Sequence, residues 1–135
     1  MRDAHDIFGE PLLLETREEF MNFRLNQDFF RQASTNPDAT HAGESETLAI
    51  LTSRSIKSVV ISDDEGVPLR LANLNVSPTI QAATSWHLFR AAYRKGHITE
   101  TRLWEIRRIL LGKKRGCPDE VRDRARFAEW IKPPP

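Results

Sequence analysis

The chain has 135 residues with a net charge of +1, and 39% of its residues are hydrophobic while 29% are charged. This composition is typical of one folded domain with its own core, and it excludes a globally disordered chain and a membrane span of about 20 apolar residues. Cys117 is the only cysteine, and the N-terminus lacks the pattern of a secretory signal. We therefore expect a cytoplasmic protein without internal disulfides or a membrane partner.

The first third of the chain predicts one strand and one helix. Residues 1–11 have no clear period, and Leu12–Leu14 predict a short strand. Thr16 is the expected N-cap of a helix whose first turn contains Glu19. The polar stretch 31–42 then predicts an exposed loop.

The middle of the chain predicts alternating helices and strands. Residues 43–54 have the 3.6-residue apolar period of a helix, and the β-branched stretch within residues 57–62 predicts a buried strand. A second helix is expected from near Val67 to about Leu71. Alternating apolar residues in 73–77 predict another short parallel strand.

The last third of the chain predicts helices alone. Residues 78–95 form a long helical pattern that ends at Gly96, Thr99 caps the next helix, and a final helix begins at Asp119. The predicted fold class is therefore α/β, a single domain over residues 1–135 with a short parallel sheet flanked by helices and a helical C-terminal part.

Acidic residues lie at both ends of the central helix and strand. Glu44 and Glu46 fall in the first turn of the helix, whereas Asp63 and Asp64 follow the strand. In open α/β sheets, ligands and catalytic groups gather beyond the carboxyl ends of the strands, so the aspartates are candidate site residues. In the alternative interpretation, the aspartate pair only caps the helix that follows.

Charge is distributed unevenly along the chain. Residues 1–84 contain 7 Lys and Arg against 13 Asp and Glu, whereas residues 85–135 contain 13 against 6. A basic half of this kind can neutralise phosphates, which makes RNA a candidate partner, although solvated helix faces have the same composition. The candidate nucleic-acid-binding residues are Arg94, Lys95, Lys113, Lys114 and Arg115.

Three stretches occur in an informative order: GESETLAIL, then VVISDDEGVPLRLA, then a segment that runs from Ser-Pro-Thr-Ile to Gly-His-Ile-Thr. Together they resemble the second half of a PIN domain, the nuclease fold of many bacterial toxin ribonucleases. The resemblance covers residues 12–111, and a basic loop and C-terminal helix in residues 112–135 lie beyond it. It implies a three-layer α/β/α fold and a metal-dependent endoribonuclease, a phosphodiester hydrolase that uses Mg²⁺ or Mn²⁺. It also implies a toxin of a toxin–antitoxin pair, with an antitoxin protein and a second copy of the chain as candidate partners.

The resemblance also assigns residues to the metal site. Glu44 corresponds to the acid of the Gly-Glu-x-Glu helix start, and Asp64 closes the turn after the strand. Asp63 is the flanking acid, so these three residues are the candidate catalytic and metal-binding residues. The accessory candidates are Asn22, which stands where the family has Glu, together with Glu18, Glu46 and Ser62, and Glu19 if the register differs.

Two departures from the family favour a second hypothesis. Asn22 removes one negative charge from the expected set of acids, and the first strand of the family, with its terminal Asp, has no counterpart in the polar residues 2–8. Asp6 is the only weak substitute for that acid. The alternative is therefore a catalytically degenerate PIN-like binding or assembly module without nuclease activity.

Overall fold

The structure, a computed structural model, describes residues 9–36, 38–112, 118–133 and 135. These residues form a mixed α/β arrangement of six α-helices, one 3₁₀ turn and two strands, in agreement with the predicted class. In chain order the elements are α1 (Arg17–Ala33), α2 (Ala42–Ser53), β1 (Ser58–Ile61), α3 (Gly66–Leu74), β2 (Ile80–Ala83), α4 (Ser85–Arg94), α5 (Glu100–Gly112), the 3₁₀ turn (Asp119–Val121) and α6 (Arg124–Trp130).

The described chain divides into two compact units. The first unit contains the described residues up to Ser58 together with Gly66–Gln81, and therefore holds α1, α2 and α3. The second unit contains Val59–Glu65 and the described residues from Ala82 onward, and therefore holds α4, α5 and α6. Each unit has its own set of buried apolar side chains.

The first unit is organised by polar contacts between its helices as well as by apolar packing. Thr16 caps α1 as predicted, in a reciprocal capping box with Glu19. Asn26 is buried on α1; its Nδ2 donates to the carbonyl of Ser45 on α2 at 3.1 Å, and its Oδ1 accepts from Nε of Arg70 on α3 at 2.8 Å. One buried side chain therefore links all three helices. The buried apolar residues of this unit are Phe30, Leu48, Ala49, Ile50, Val67, Leu71 and Ile80.

The two strands pair in a short parallel sheet. Their ends are fixed by hydrogen bonds from the amide of Ser58 to the carbonyl of Thr79 at 3.0 Å, and from the amide of Ser62 to the carbonyl of Ala83 at 2.9 Å. Side chains alternate along β1, so that Val59 is 57% exposed. The predicted strand within residues 57–62 is therefore confirmed, but the expectation that it is buried is wrong, because Val59 and Ile61 are 57% and 44% exposed.

The second unit is built around a cluster of large apolar side chains. Trp86 of α4 and Leu103 of α5 are almost fully buried, and the C-terminal region adds Val121, Phe127 and Ile131. The ring of Phe127 meets the ring of Trp104 edge-on, with 4.8 Å between centroids. The C-terminal region therefore supplies a large part of this core.

Several predicted elements differ from the structure. Leu12–Leu14 do not form a strand; instead the carbonyl of Leu13 accepts a hydrogen bond from the Arg54 guanidinium at 2.7 Å. The predicted strand at 73–77 and the start of the predicted helix at 78–95 are also displaced. The strand lies later, at β2, because this segment satisfies its backbone by pairing with β1, and α4 begins only after Thr84 caps it.

The other helix predictions fare better. The helix predicted over residues 43–54 is confirmed as α2, and Thr99 accepts from the amide of Arg102 at the start of α5, as expected of a cap. The final helix begins later than predicted: Asp119 starts a 3₁₀ turn, and α6 follows once the Asp123 carboxylate accepts from the amide of Arg126 at 3.0 Å.

Candidate functional site

In the second unit, hydrogen bonds between an aspartate and a serine link the residues that follow the carboxyl ends of the two strands. Asp63 follows β1, and Ser85 is the first residue of the helix after β2. The Ser85 amide donates to Oδ1 of Asp63 at 2.8 Å, and the Ser85 hydroxyl lies 2.9 Å from Oδ1 and 2.7 Å from Oδ2, so its one hydrogen is shared between the two oxygens. A carboxylate at the start of a helix also interacts favourably with the helix dipole. Asp63 therefore fixes the start of α4.

The residues on either side of Asp63 are also part of the local structure. Asp64 is half-buried, and its amide donates to the hydroxyl of Ser62 at 3.1 Å. The other end of the site is closed by the cap of α4, where Thr84 Oγ1 lies 2.8 Å from Nδ1 of His87. Ser62 and His87 thus stabilise two turns at this edge of the sheet. The side chains at this edge that could bind a cation through oxygen are the carboxylates of Asp63 and Asp64.

The described residues offer too few grouped ligands for a complete carboxylate metal site, so any metal binding at this edge would be weak. Two adjacent carboxylates can hold Mg²⁺ when water and substrate phosphates supply the remaining ligands. Across the described part of the chain, no three His, Cys, Asp or Glu side chains are grouped closely enough to hold a metal ion. Asp63 and Asp64 are consecutive at this edge, and the Asp63 oxygens already accept from Ser85, so any metal here would need oxygen atoms from its substrate.

The predicted glutamates of the first unit lie at the start of α2. Glu44 is half-buried in the first turn of the helix and has no hydrogen-bond or ion-pair partner within the described ranges. Glu46 lines a cavity of about 440 Å³ whose other walls are mostly apolar and include Leu12 and Ile50. Glu44 is therefore a candidate ligand without a partner in the described part of the chain, and the helix dipole favours its negative charge.

The accessory positions on α1 have internal partners. Nδ2 of Asn22 donates to the hydroxyl of Ser53 at 2.8 Å, whereas Glu18 is exposed. Glu19 is buried and forms an ion pair with Arg54, with 2.6 Å between Oε1 and Nε. This guanidinium, followed by the amides of Glu15 and Thr16, lowers the pKa of Glu19 to about 2 against the opposing effect of burial. Glu19 is therefore a structural carboxylate in this register.

The predicted nucleic-acid-binding residues differ in their surroundings. Lys113, Lys114 and Arg115 lie outside the described residues. Lys95 is exposed at the end of α4. Arg94 donates instead to backbone carbonyls at the end of α6, including that of Ile131 at 3.1 Å.

Arginine–tryptophan stacking in the second unit was not anticipated from the sequence. The guanidinium of Arg90 lies 4.7 Å from the ring centroid of Trp130. Trp104 has two such neighbours, with Arg107 at 4.1 Å and Arg124 at 4.5 Å from its ring centroid. Trp104 and Arg107 are three residues apart on α5, so their contact could have been expected from helical spacing. The other two pairs join separate elements, and only the joint enrichment of Arg and Trp after residue 85 could have indicated them.

Comparisons of the chain with models of protein families, with curated proteins and with solved structures gave no match. The resemblance to PIN domains thus stays a prediction from the sequence. Within the described ranges, no helix has the length and apolar character needed to cross a membrane.

We expect Asp63→Asn to destabilise the protein by about 1 kcal/mol, because the amide replaces a charged acceptor at the start of α4. Thermal or urea unfolding without added metal is the measurement. Glu65→Gln is the matched control, since Glu65 is exposed two residues away and its change removes the same charge. Equal stability of the two variants would contradict a structural role for the Asp63–Ser85 contact.

Proposed function

We propose that this chain is a PIN-like domain that binds RNA without cleaving it. One observation carries the proposal: the side chains at two positions of the expected acid set, Asn22 and Asp63, are held by the protein's own serines, Ser53 and Ser85. A side chain that orders its own fold in this way is a poor metal ligand, because coordination would compete with those hydrogen bonds. The second hypothesis from the sequence therefore has the stronger support.

The charges of the second unit support RNA as the partner. Lys95 and Arg108 are exposed, and neither has an ion-pair partner in the part of the chain that the structure describes. Several other arginines of this unit are paired with carboxylates: Arg102, Arg122, Arg124 and Arg126. Cations without a carboxylate neighbour attract phosphates and release counterions when they bind them. The sequence adds Lys113, Lys114 and Arg115 to this basic set.

The test is fluorescence anisotropy with a labelled single-stranded RNA of about 16 nucleotides, a length that spans a typical single-strand site. We expect binding that weakens as salt is raised, with a logarithmic slope of about −0.7 for each phosphate contact. A variant with Lys113→Gln, Lys114→Gln and Arg115→Gln should bind more weakly and show a shallower salt slope. The RNA should stay intact on a gel when Mn²⁺ is present. Absence of RNA binding by the wild type would overturn the proposal.

A metal-dependent endoribonuclease is the second candidate, and the availability of Glu44 favours it. Glu44 is a half-buried carboxylate in the first turn of a helix, and without a partner among the described residues it can accept a cation directly. By the resemblance, Glu44 and Asp64 would bind Mg²⁺ or Mn²⁺, which would activate a water for phosphodiester hydrolysis.

One series of variants separates the two candidates. RNA cleavage in Mn²⁺ that disappears in Glu44→Gln and in Asp64→Asn would establish the nuclease and overturn the non-cleaving module. The variant Asn22→Glu restores the acid that the family carries at this position. If it raises the melting temperature in Mn²⁺ while the wild type shows no shift, the wild-type acid set is incomplete, as the non-cleaving module requires.

A further inference from the structure

A cavity of about 650 Å³ lies in the second unit, against the ends of α4 and α6. Its lining combines three basic side chains with an indole and proline rings: Arg90, Arg94, Lys132, Trp130, Pro133 and Pro135 contribute, together with Glu129. Its volume is that of a site for a small ligand or for one unit of a polymer. The combination of cationic and flat apolar surfaces suits a ligand that has both an anionic and an aromatic part.

Arg90 places a positive charge in this cavity without a carboxylate bonded to it. Its guanidinium is half-buried over the ring of Trp130, and among the described residues it has no hydrogen bond or ion pair. Burial lowers the pKa of Arg90, and the nearby positive charge of Arg94 acts in the same direction, whereas Glu120 opposes both. A partly desolvated cation of this kind is stabilised by an anion that enters the cavity.

Arg94 holds the wall of the cavity in place. Its Nε donates to the carbonyl of Ile131 at 3.1 Å, and its Nη2 donates to the carbonyl of Trp130 at 3.3 Å and to that of Lys132. The cation thus satisfies the carbonyls at the end of α6, which have no partners within the helix. Because Arg90 and Arg94 both belong to α4, this attachment also fixes Trp130 relative to Arg90. The stacked pair is therefore organised before a ligand arrives.

The remaining charges leave the cavity positive. Nζ of Lys132 lies 2.6 Å from Oε1 of Glu129, so these two charges compensate each other. Arg90 and Arg94 remain. Arg94 uses its Nε and Nη2 on backbone carbonyls, whereas Arg90 uses none of its donors on the protein within the described ranges. Arg90 is therefore the side chain that would contact an anionic group.

We propose that this cavity binds one nucleotide of single-stranded RNA, with its phosphate on the Arg90 guanidinium and its base against Pro133 and the part of the Trp130 indole that Arg90 leaves uncovered. This inference rests on the proposed RNA-binding function and assigns it a specific contact. A nucleotide supplies the anion and the aromatic ring that the two halves of the lining require. Only an unpaired strand can do so, because the bases of a duplex are stacked inside it.

The first experiment measures binding of the labelled single-stranded RNA to Arg90→Gln and Arg90→Lys. We expect Arg90→Gln to bind roughly tenfold more weakly, since it loses both the charge and the stacking plane. Arg90→Lys keeps the charge and should recover part of the affinity. Arg126→Gln is the matched control, because Arg126 is an exposed arginine of the same unit, does not line the cavity and should change affinity by less than about twofold.

A second experiment avoids substitution at Arg90. The protein is labelled with 5-fluorotryptophan, the fluorine resonance of Trp130 is assigned with Trp130→Phe, and the spectrum is recorded with single-stranded RNA, with double-stranded RNA and with uridine monophosphate. We expect the Trp130 resonance to move with single-stranded RNA and to stay in place with the duplex at equal concentration. This readout uses the unaltered cavity, so it holds even if an Arg90 variant does not fold.

The outcomes distinguish a failure of the cavity proposal from a failure of the proposed RNA-binding function. If Arg90→Gln binds RNA with the affinity of the wild type while the Lys113, Lys114 and Arg115 variant no longer binds, the cavity is not the RNA site. The proposed RNA-binding function would still hold. A Trp130 shift with uridine monophosphate but not with RNA would also overturn the inference, because the cavity would then take a free nucleotide. Absence of any RNA binding by the wild type would overturn both proposals.

Discussion

Replacing Glu19 with glutamine is expected to lower the melting temperature by on the order of 10 °C at neutral pH, the scale associated with the loss of one partner of a buried ion pair. Glu19 is only 1% exposed, and both of its carboxylate oxygens accept from Arg54, at 2.6 Å from Nε and 3.3 Å from Nη2. Oε2 also accepts from the amides of Glu15 and Thr16. The neutral amide of a glutamine could keep some of these bonds, but Arg54 would lose its closest negative charge. Thermal unfolding by circular dichroism is the measurement.

The Glu19 carboxylate should also make the stability of the fold depend on pH in the acidic range. The pKa of Glu19 is lowered from 4.5 to about 2, chiefly by Arg54. Because the folded state holds the ionised form, this contribution is present above pH 4.5 and is lost as the pH falls towards 2. The melting temperature of the wild type should therefore fall more steeply across this window than that of Glu19→Gln.

Glu18→Gln is the control for both measurements, since Glu18 is the exposed neighbour of Glu19 and its change removes the same charge. It should melt close to the wild type and keep the steep loss of stability in acid. A Glu19→Gln variant with the wild-type melting temperature and the wild-type acid profile would show that the ion pair contributes no stability.

Phe127→Ala is expected to destabilise the second unit by about 3–5 kcal/mol, the range for removing a large aromatic side chain from a packed core. Phe127 is 0% exposed and packs with Trp86, Leu103 and Val121. It also supports Trp104 through an edge-on ring contact. Alanine would leave a void that these large side chains cannot fill without moving. Urea unfolding followed by tryptophan fluorescence would measure the loss.

Two matched variants sharpen this measurement. Phe127→Leu keeps most of the apolar volume and should be less destabilising than Phe127→Ala. Phe20→Ala removes the same side chain from α1, where Phe20 is 50% exposed, and should change stability by no more than about 0.5 kcal/mol. Similar losses in Phe127→Ala and Phe20→Ala would contradict the assignment of Phe127 to a packed core.

The local elements of the fold could be predicted where one pattern dominates. The period of α2 and the β-branched residues of β1 each allow one interpretation, and Thr16 with Glu19 matches the spacing of a capping box. The sequence of β2 is more ambiguous, because Ile80 is its only β-branched residue and also fits a helical period with Thr84. Its strand conformation depends on pairing with β1, which is a contact distant in sequence and has no local signal.

The candidate site was predictable in position but not in its contacts. Asp63 and Asp64 do lie at the carboxyl end of a parallel strand, where the sequence pattern predicts them. Their environment depends on Ser85, which comes 22 residues after Asp63. The buried pair of Glu19 and Arg54 is likewise separated by 35 positions, and no local pattern indicates that the two residues meet. Long-range hydrogen bonds therefore decide which acids are structural.

The attachment of the C-terminal residues by Arg94 has a practical consequence for handling the protein. Because Arg94 binds the carbonyls of Trp130, Ile131 and Lys132, and Pro133 lines the cavity, any peptide fused after residue 135 would emerge beside the proposed nucleotide position. A histidine tag there would add imidazole rings that can enter the cavity and occupy its flat apolar surfaces. Affinities measured with such a fusion would be too weak, so the tag should be removed before RNA binding is assayed.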